Sequence, residues 1–244
     1  MVARGSPTST PTGRSALHAD RTDRCLRRLG LNGWLVTIGF AQDSAKRDIQ
    51  EMHRLNQDPK AYIAMLDDPA RQVHQKPNEV ISALRLKEGE VIADIGAGSG
   101  YFAFRLARHV GDAGRVYAVD VSTEMIAHLN RRIRELKMKN VVTILATPDE
   151  PLLAHATIDR FFICDTWHHI ENHDRYLGLL NKMLKPRWQV VMIDFKKVET
   201  PLGPPMKMRI DRDDVVKEME MNGFSLEAEH TFLPYQYFLV FKVK

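Results

Sequence analysis

The chain has 244 residues, 44% of them hydrophobic, enough to bury one substantial core and a small appendage. Six arginines against two aspartates in residues 1–30 carry the whole formal charge of +4, so the remainder is neutral and lacks the clustered Lys and Arg that nucleic acid requires. The two cysteines, Cys25 and Cys164, make neither a disulfide framework nor a paired metal spacing, and no run approaches the ~20 apolar residues of a membrane span.

Residues 1–17 are rich in Ser, Thr, Pro and Gly and are expected to be disordered. Arg24, Arg27 and Arg28 then precede an apolar run from Leu29 to Phe40 and the small Ala41, the order of charge, apolar stretch and cleavage point seen in secretory leaders. Gly30, Asn32 and Gly33 within the run argue instead for a short buried or amphipathic segment of a cytoplasmic protein. The cytoplasm is therefore the expected location, with export after cleavage near Ala41 as the alternative. Residues 1–45 read as this disordered or leader-like segment. Ile49, Met52, Leu55, Tyr62, Ile63 and Leu66 follow at broken helical spacing interrupted by Pro59, which predicts a small helical cap over residues 46–76.

Pro77 opens a helix and the main domain, 77–244. Beyond it VIADI, RVYAVD, VVTILA, IDRFFICD and WQVVMIDF are apolar runs of strand type, separated by the helical patterns YFAFRLARHV, TEMIAHLNRRIRELK and DRYLGLLNKMLK. Buried parallel strands read in this way, so an α/β doubly wound sheet is predicted. After the helix DDVVKEMEMNGF, the last twenty residues hold two strands around Pro234 with no helix between them, which requires an antiparallel pair at the end of the sheet.

In such a sheet ligands bind beyond the carboxyl ends of the strands, near the first one. The loop there is DIGAGSGYF, where Gly96, Gly98 and Gly100 allow backbone to approach a ligand closely. A dinucleotide fingerprint would place a glycine at position 101, which is Tyr101. Asp120 ends the second strand twenty residues after Gly100, where a carboxylate can accept from a ribose diol. The pair on successive strands points to a nucleoside.

VIADIGAGSGYFAFRLA, RVYAVDVSTEMI and LKPRWQVVMIDF together resemble the class I S-adenosylmethionine-dependent methyltransferases, in particular the small-molecule and lipid-precursor branch that includes quinone-biosynthesis enzymes. The resemblance runs from about Gln75 to the C-terminus, and its first motif is the most specific part. It implies a Rossmann-like seven-stranded sheet, mostly parallel with an antiparallel C-terminal strand. It also implies S-adenosylmethionine as cofactor, with Asp94 and the loop Gly96, Ala97, Gly98 and Gly100 holding the methionine moiety. Asp120 and Val121 would then lie at the ribose, Met125 near the adenine, and Asp149 in ATPDEP would accept from the adenine amino group or, equally, cap a helix. Arg187 and Trp188 stand where the family usually has two glycines before the fifth strand, so a differently built turn is expected there.

DTWHHIENHD, residues 165–174, emerges at the end of the fourth strand, where the methyl group of the cofactor would lie. His169 and His173 stand four apart, yet H-I-E-N-H lacks the glutamate placement of a zinc protease. Asp165 is expected at both the cofactor and the chemistry, and His168 or His169 as a base if the acceptor must lose a proton, the alternative being packing and backbone bonding. Asp165 and Asp194 could bind a hard divalent ion with substrate oxygens, but without a third ligand in register no metal is expected. N-P-P-Y and D-P-P-Y are absent after this strand, as are the cysteines of arsenite methylation. The expected function is methyl transfer to a small-molecule or lipid-like acceptor. A nucleic-acid or protein methyltransferase, or a cofactor-binding module without turnover, is the alternative, and a homodimer is left open. Tyr62, Met65 and Gln75 in the cap, and the loop KKVETPLGPPMKM, are candidate lids, with Tyr235 and Tyr237 read mainly as core.

Overall fold

The computed structural model describes residues 58–244. The leader-like segment, its cleavage point at Ala41 and the first part of the expected cap lie outside the described residues.

Three short helices precede the sheet: α1 (Pro59–Leu66), α2 (Arg71–Gln75) and α3 (Pro77–Leu84). Pro59 begins a helix rather than interrupting one. At the first helical position its missing N–H is not needed, and the Asp58 carboxylate accepts from the N–H groups of Lys60 and Ala61, both at 3.1 Å. Lys76, at φ 40°, both closes α2 and opens α3. Val80, Ile81 and Leu84 of α3 are buried, as its periodicity predicts.

Seven strands follow: β1 (Val91–Ile95), β2 (Arg115–Asp120), β3 (Val141–Leu145), β4 (Ile158–Cys164), β5 (Leu184–Phe195), β6 (Phe224–His230) and β7 (Gln236–Val243). Between them lie α4 (Ala103–Val110), α5 (Thr123–Leu136), α6 (His173–Met183) and α7 (Arg212–Met221), with single 3₁₀ turns at Trp167–His169 and Met206–Met208. The spatial order is β3-β2-β1-β4-β5-β7-β6. β1 to β5 pair in parallel, while β7 runs antiparallel to both β5 and β6. This is the doubly wound sheet with an antiparallel ending that the sequence predicts.

The sheet is covered on both faces. One face packs Phe161, Ile163, Val190, Met192, Leu239 and Phe241 against Trp167, Leu177, Leu180, Val215 and Met219. The other packs Ile92, Phe162, Val191, Phe238 and Val240 against Ile81, Phe102, Leu106 and Leu129. Alternation along each strand divides neighbours such as Phe161 and Phe162 between the two.

The segment at Arg187 and Trp188 is not a separate turn. The helix ends at Met183, two residues before the predicted Lys185, and Leu184 already pairs with Ile158, so β5 begins four residues before Trp188. The β4–β5 register is irregular between Ile158 and Arg160. No described helix is long and apolar enough to cross a membrane.

Candidate active site

The strand order reverses direction between β1 and β4, whose carboxyl ends therefore open a crevice at the switch point. The glycine loop folds there against β2. Gly96 N and Ala97 N both donate to Val119 O, at 2.9 and 3.0 Å, and Gly98 N donates to Asp120 Oδ2 at 2.8 Å. A Cβ at Gly96 would overlap the Thr166 hydroxyl, so glycine is what allows the end of β1 to meet the end of β4. At Gly100 (φ 87°) a Cβ would strike the Phe104 ring.

Asp120 has one oxygen on Gly98 N and the other on Ser122 N, the latter at 2.9 Å. Burial raises its pKa and these amides counter the rise. Both oxygens retain a second lone pair for a diol. Ser122 also caps α5, accepting from Met125 N at 3.3 Å. Met125 is thereby fixed and buried, whereas Val121 is 56% exposed.

Asp94, at the end of β1, is 3% exposed and its Oδ2 has no hydrogen-bond partner. Burial, with Asp120 adding negative charge, pushes its pKa up to about 8 against the pull of the Ala103 amide. A carboxylate so placed fits a cation. The ammonium of a methionine moiety would supply both the missing donor and the compensating charge, so these residues fit S-adenosylmethionine.

Asp149 is not gathered with this group. Thr147 and Glu150 form a small antiparallel bridge, and Asp149 stands at its tip, turned outward, with its carboxylate 3.9 Å from Arg175. It lines a surface cleft of about 560 Å³ with Glu171, Asn172, His173, Asp174 and Glu218.

A second group assembles beyond β4. Asp165 has φ 54°, a left-handed conformation, and its carboxylate is held between two side-chain amides. Gln75 Nε2 donates to Oδ2, and Gln236 Nε2 donates to Oδ1 at 2.6 Å. Gln75 is 1% exposed and Gln236 fully buried. Burial, then Asp194, pushes the Asp165 pKa up to about 6, while Gln236, Arg71 and Gln75 oppose the rise. Gln236 is the residue the sequence reading missed. Its signal is a primary amide within the otherwise apolar YQYFLVF, where a buried polar group must find a partner.

His168 Nδ1 lies 2.9 Å from both oxygens of Asp194, and His168 N donates to the same carboxylate at 3.3 Å. A carboxylate accepts, so Nδ1 carries the proton and Nε2 the lone pair. His169 is the more exposed of the two and lies against His168 with ring centroids 4.1 Å apart and the rings tilted by 43°. Desolvation, then the neighbouring His168, lowers its pKa to about 4. His173 does not share a site with His169. It begins α6, stacks on Trp167 and bonds Glu218 Oε1 at 2.7 Å, an arrangement that locks α6 to α7. Among the described residues no group of three or more His, Cys, Asp or Glu could hold a metal ion.

Tyr237 is buried next to Asp194 across the β5–β7 pair, so the core reading of this tyrosine agrees with its position. Its hydroxyl has no partner and its pKa is raised by burial, then by Asp194 and Asp165.

Residues 86–231 match the model of a family described as methyltransferase domain. A ubiquinone/menaquinone biosynthesis C-methyltransferase of Coxiella burnetii is 28% identical over 132 residues, 54% of this chain and 52% of the relative. A protein-L-isoaspartate O-methyltransferase of Fervidobacterium nodosum is 31% identical over 87 residues, 36% of this chain and 44% of the relative. The chain thus spans about half the length of these relatives. A solved SAM-dependent methyltransferase from Aquifex aeolicus is 29% identical and superposes with a TM-score of 0.72, covering 77% of this chain and 99% of that one. With its glycine loop, Asp94 and Asp120 at the switch point of this sheet, the chain belongs to the methyltransferase domain family.

Proposed function

We propose that the protein transfers a methyl group from S-adenosylmethionine to the oxygen or nitrogen of a small-molecule or lipid-like acceptor held beyond β4. The observation that carries this reading is the buried, unpartnered oxygen of Asp94 beside a glycine loop whose backbone is tied to Asp120. When bound, the cofactor supplies a methyl group on a sulfonium, an electrophile for which positioning of the acceptor can account for most of the acceleration.

The chain's own residues then divide the work. Asp94 and the loop Gly96–Gly100 bind the methionine end, and Asp120 orients the ribose hydroxyls. Asp165, Thr166 and the histidines form the acceptor side. Where the acceptor must lose a proton, His168 Nε2 takes it, because Asp194 holds the other ring nitrogen as a donor. His169, its pKa lowered to about 4 by desolvation and His168, stands neutral beside it at working pH. The relatives' names span a quinone-pathway carbon acceptor and a protein carboxylate, so acceptor identity is read from the site rather than from them. A cofactor made and kept in the cytoplasm supports that location, and mass spectrometry of the native N-terminus tests it: a chain beginning at Gln42 would replace it with export.

Calorimetry with S-adenosylmethionine tests the assignment. Wild type binds, and Asp120→Ala loses on the order of 1.5–3 kcal/mol per charged hydrogen bond. No binding by wild type, or equal binding by the variant, would refute it. His168→Ala and His169→Ala retain cofactor affinity and lower turnover, measured as labelled methyl transfer into fractionated cell extract. A rate unchanged from wild type in both variants would remove the histidines from catalysis.

A further inference from the structure

Residues of α4 and α5 line a cleft of about 330 Å³ bordered by the turn that joins α1 to α2. That volume falls within the ~300–1,000 Å³ typical of small-molecule sites. Arg105 and Arg108 stand three apart on one side of α4, and Arg132 of α5 joins them, so three guanidiniums from two helices line one space. One carboxylate, that of Asp67, lines it with them, and it lies 3.9 Å from His128 Nε2. The cleft takes in the last residues of the glycine loop, Ser99 and Gly100, but none of Asp94, Gly96, Gly98 and Asp120 lines it. It is therefore a different place from the cofactor cradle.

These arginines are short of counter-charge. Among the described residues neither Arg105 nor Arg108 is paired with a carboxylate. Arg105 donates to the Tyr101 carbonyl and lies over the ring of that residue, 4.2 Å from its centroid. Arg71 lies over the same ring at 4.5 Å and donates to Leu66 O at 2.5 Å. The ring attracts both cations but neutralises neither. Arg132 pairs with Glu135 at 2.9 Å, with the two side chains 40% and 48% exposed, the kind of surface pair that costs little to exchange. Two neutral donors stand beside the arginines: Ser99 is 3% exposed and its hydroxyl has no partner, nor has the buried hydroxyl of Tyr101. Phe104, buried, and Leu136, half-buried, supply an apolar floor.

We propose that this cleft binds a phosphate monoester, as a lipid headgroup or as a soluble ester, at a site separate from cofactor and acceptor. The inference goes beyond the S-adenosylmethionine reading and stands without it. Each guanidinium offers a fork of parallel N–H donors to phosphate oxygens, and three of them against one carboxylate suit a group that carries close to two negative charges at neutral pH. The Ser99 hydroxyl would donate to a phosphate oxygen and so find the partner it lacks. Phe104 and Leu136 would meet the carbons next to the ester. No basic run marks the site in the sequence, because its arginines converge only when α4 and α5 pack side by side on β2.

The test is calorimetry of the full chain with inorganic phosphate and with octyl phosphate, and flotation on phosphatidylcholine vesicles with and without phosphatidic acid. Wild type binds phosphate, and Arg108→Gln, at an exposed position that leaves the Tyr101 contacts intact, binds it about tenfold more weakly, as for one lost charged hydrogen bond. Adding Arg105→Gln weakens it further, with S-adenosylmethionine affinity unchanged in both variants. Arg134→Gln, on α5 but outside the cleft, binds phosphate as wild type does. Tighter binding of octyl phosphate, with flotation only on phosphatidic acid, identifies a lipid headgroup, whereas equal affinities without flotation identify a soluble ester. No binding of either phosphate by wild type overturns the site. An equal loss in Arg134→Gln also overturns it, reducing the effect to surface charge. Displacement of phosphate by saturating S-adenosylmethionine would place the anion in the cofactor cradle and overturn it as well.

Discussion

Asp94 separates stability from binding more sharply than any other side chain here. Its carboxyl ionises near pH 8 in the folded protein, against an ordinary value near ~3.9 in the unfolded chain. Between those values the folded state binds more protons, so stability without cofactor falls as pH rises from about 4 to about 8. Asp94→Asn removes the penalty. The variant should melt higher than wild type at pH 8 and equally at pH 4, while losing cofactor affinity at every pH where the carboxylate can ionise on binding. Equal melting temperatures at pH 8 would show that the orphaned oxygen costs nothing. Asp94, Asp120 and the glycines were legible in the sequence because their spacing is set by local geometry, one strand, one turn and one helix. Gln236 was not, since the carboxylate it serves lies 71 positions away and is brought to it only by the pairing of β5 with β7.

The loop between β5 and α7 shows how one element is organised by one residue. Arg209 is 6% exposed and donates to four backbone carbonyls, those of Pro204 at 2.8 Å, Lys196 at 3.2 Å, Val198 at 2.6 Å and Leu202 at 3.3 Å. Its guanidinium also lies over the Phe195 ring at 5.3 Å. A planar fork with five donors can satisfy several carbonyls at once, which an ammonium cannot match. The proline-rich run read as a lid or a linker is therefore a folded loop with a buried cation at its centre. Arg209→Met should lower unfolding free energy by about 1–3 kcal/mol, measured in urea, through the carbonyls left without donors. It should also raise KM for the acceptor and leave cofactor affinity unchanged. A loss of cofactor affinity would mean that the loop reaches the cradle as well. Nothing in KKVETPLGPPMKMR marks its arginine as the keystone, because the four carbonyls converge only when the chain has turned back on itself.

Across the whole molecule the two ends of the sheet have different duties. The carboxyl ends carry Asp94, Asp120, Asp165 and Asp194. The opposite end is closed by a buried Arg160–Glu90 pair at 3.4 Å, in which Arg160 also donates to Leu84 O at 2.9 Å and so ties β4 to α3. Asp159 alongside accepts from Val91 N and pairs with Lys185, each at 2.8 Å. Removing one partner of a buried pair leaves the other charged and alone. Arg160→Leu should therefore destabilise the protein by about 3–5 kcal/mol in urea unfolding, with cofactor affinity of the folded protein unchanged. A similar loss of affinity would contradict the division of the sheet into a stabilising and a chemical end.

The sequence by itself determined the alternation of strand and helix, the antiparallel ending and the meeting of the glycine loop with Asp94 and Asp120 at the ends of β1 and β2. Each rests on short-range information: apolar runs of strand length, helical periodicity, and glycines and carboxylates placed within one βαβ unit. It also located DTWHHIENHD at the end of β4 without separating its members. Only the tertiary structure gave His168 to Asp194, His173 to Glu218 and Asp165 to Gln75 and Gln236, and set the exposed Asp149 beside Arg175. Those choices depend on which buried polar group finds a partner across strands and helices far apart in the chain. Burial makes a missing partner costly, but the fold alone decides which one is within reach.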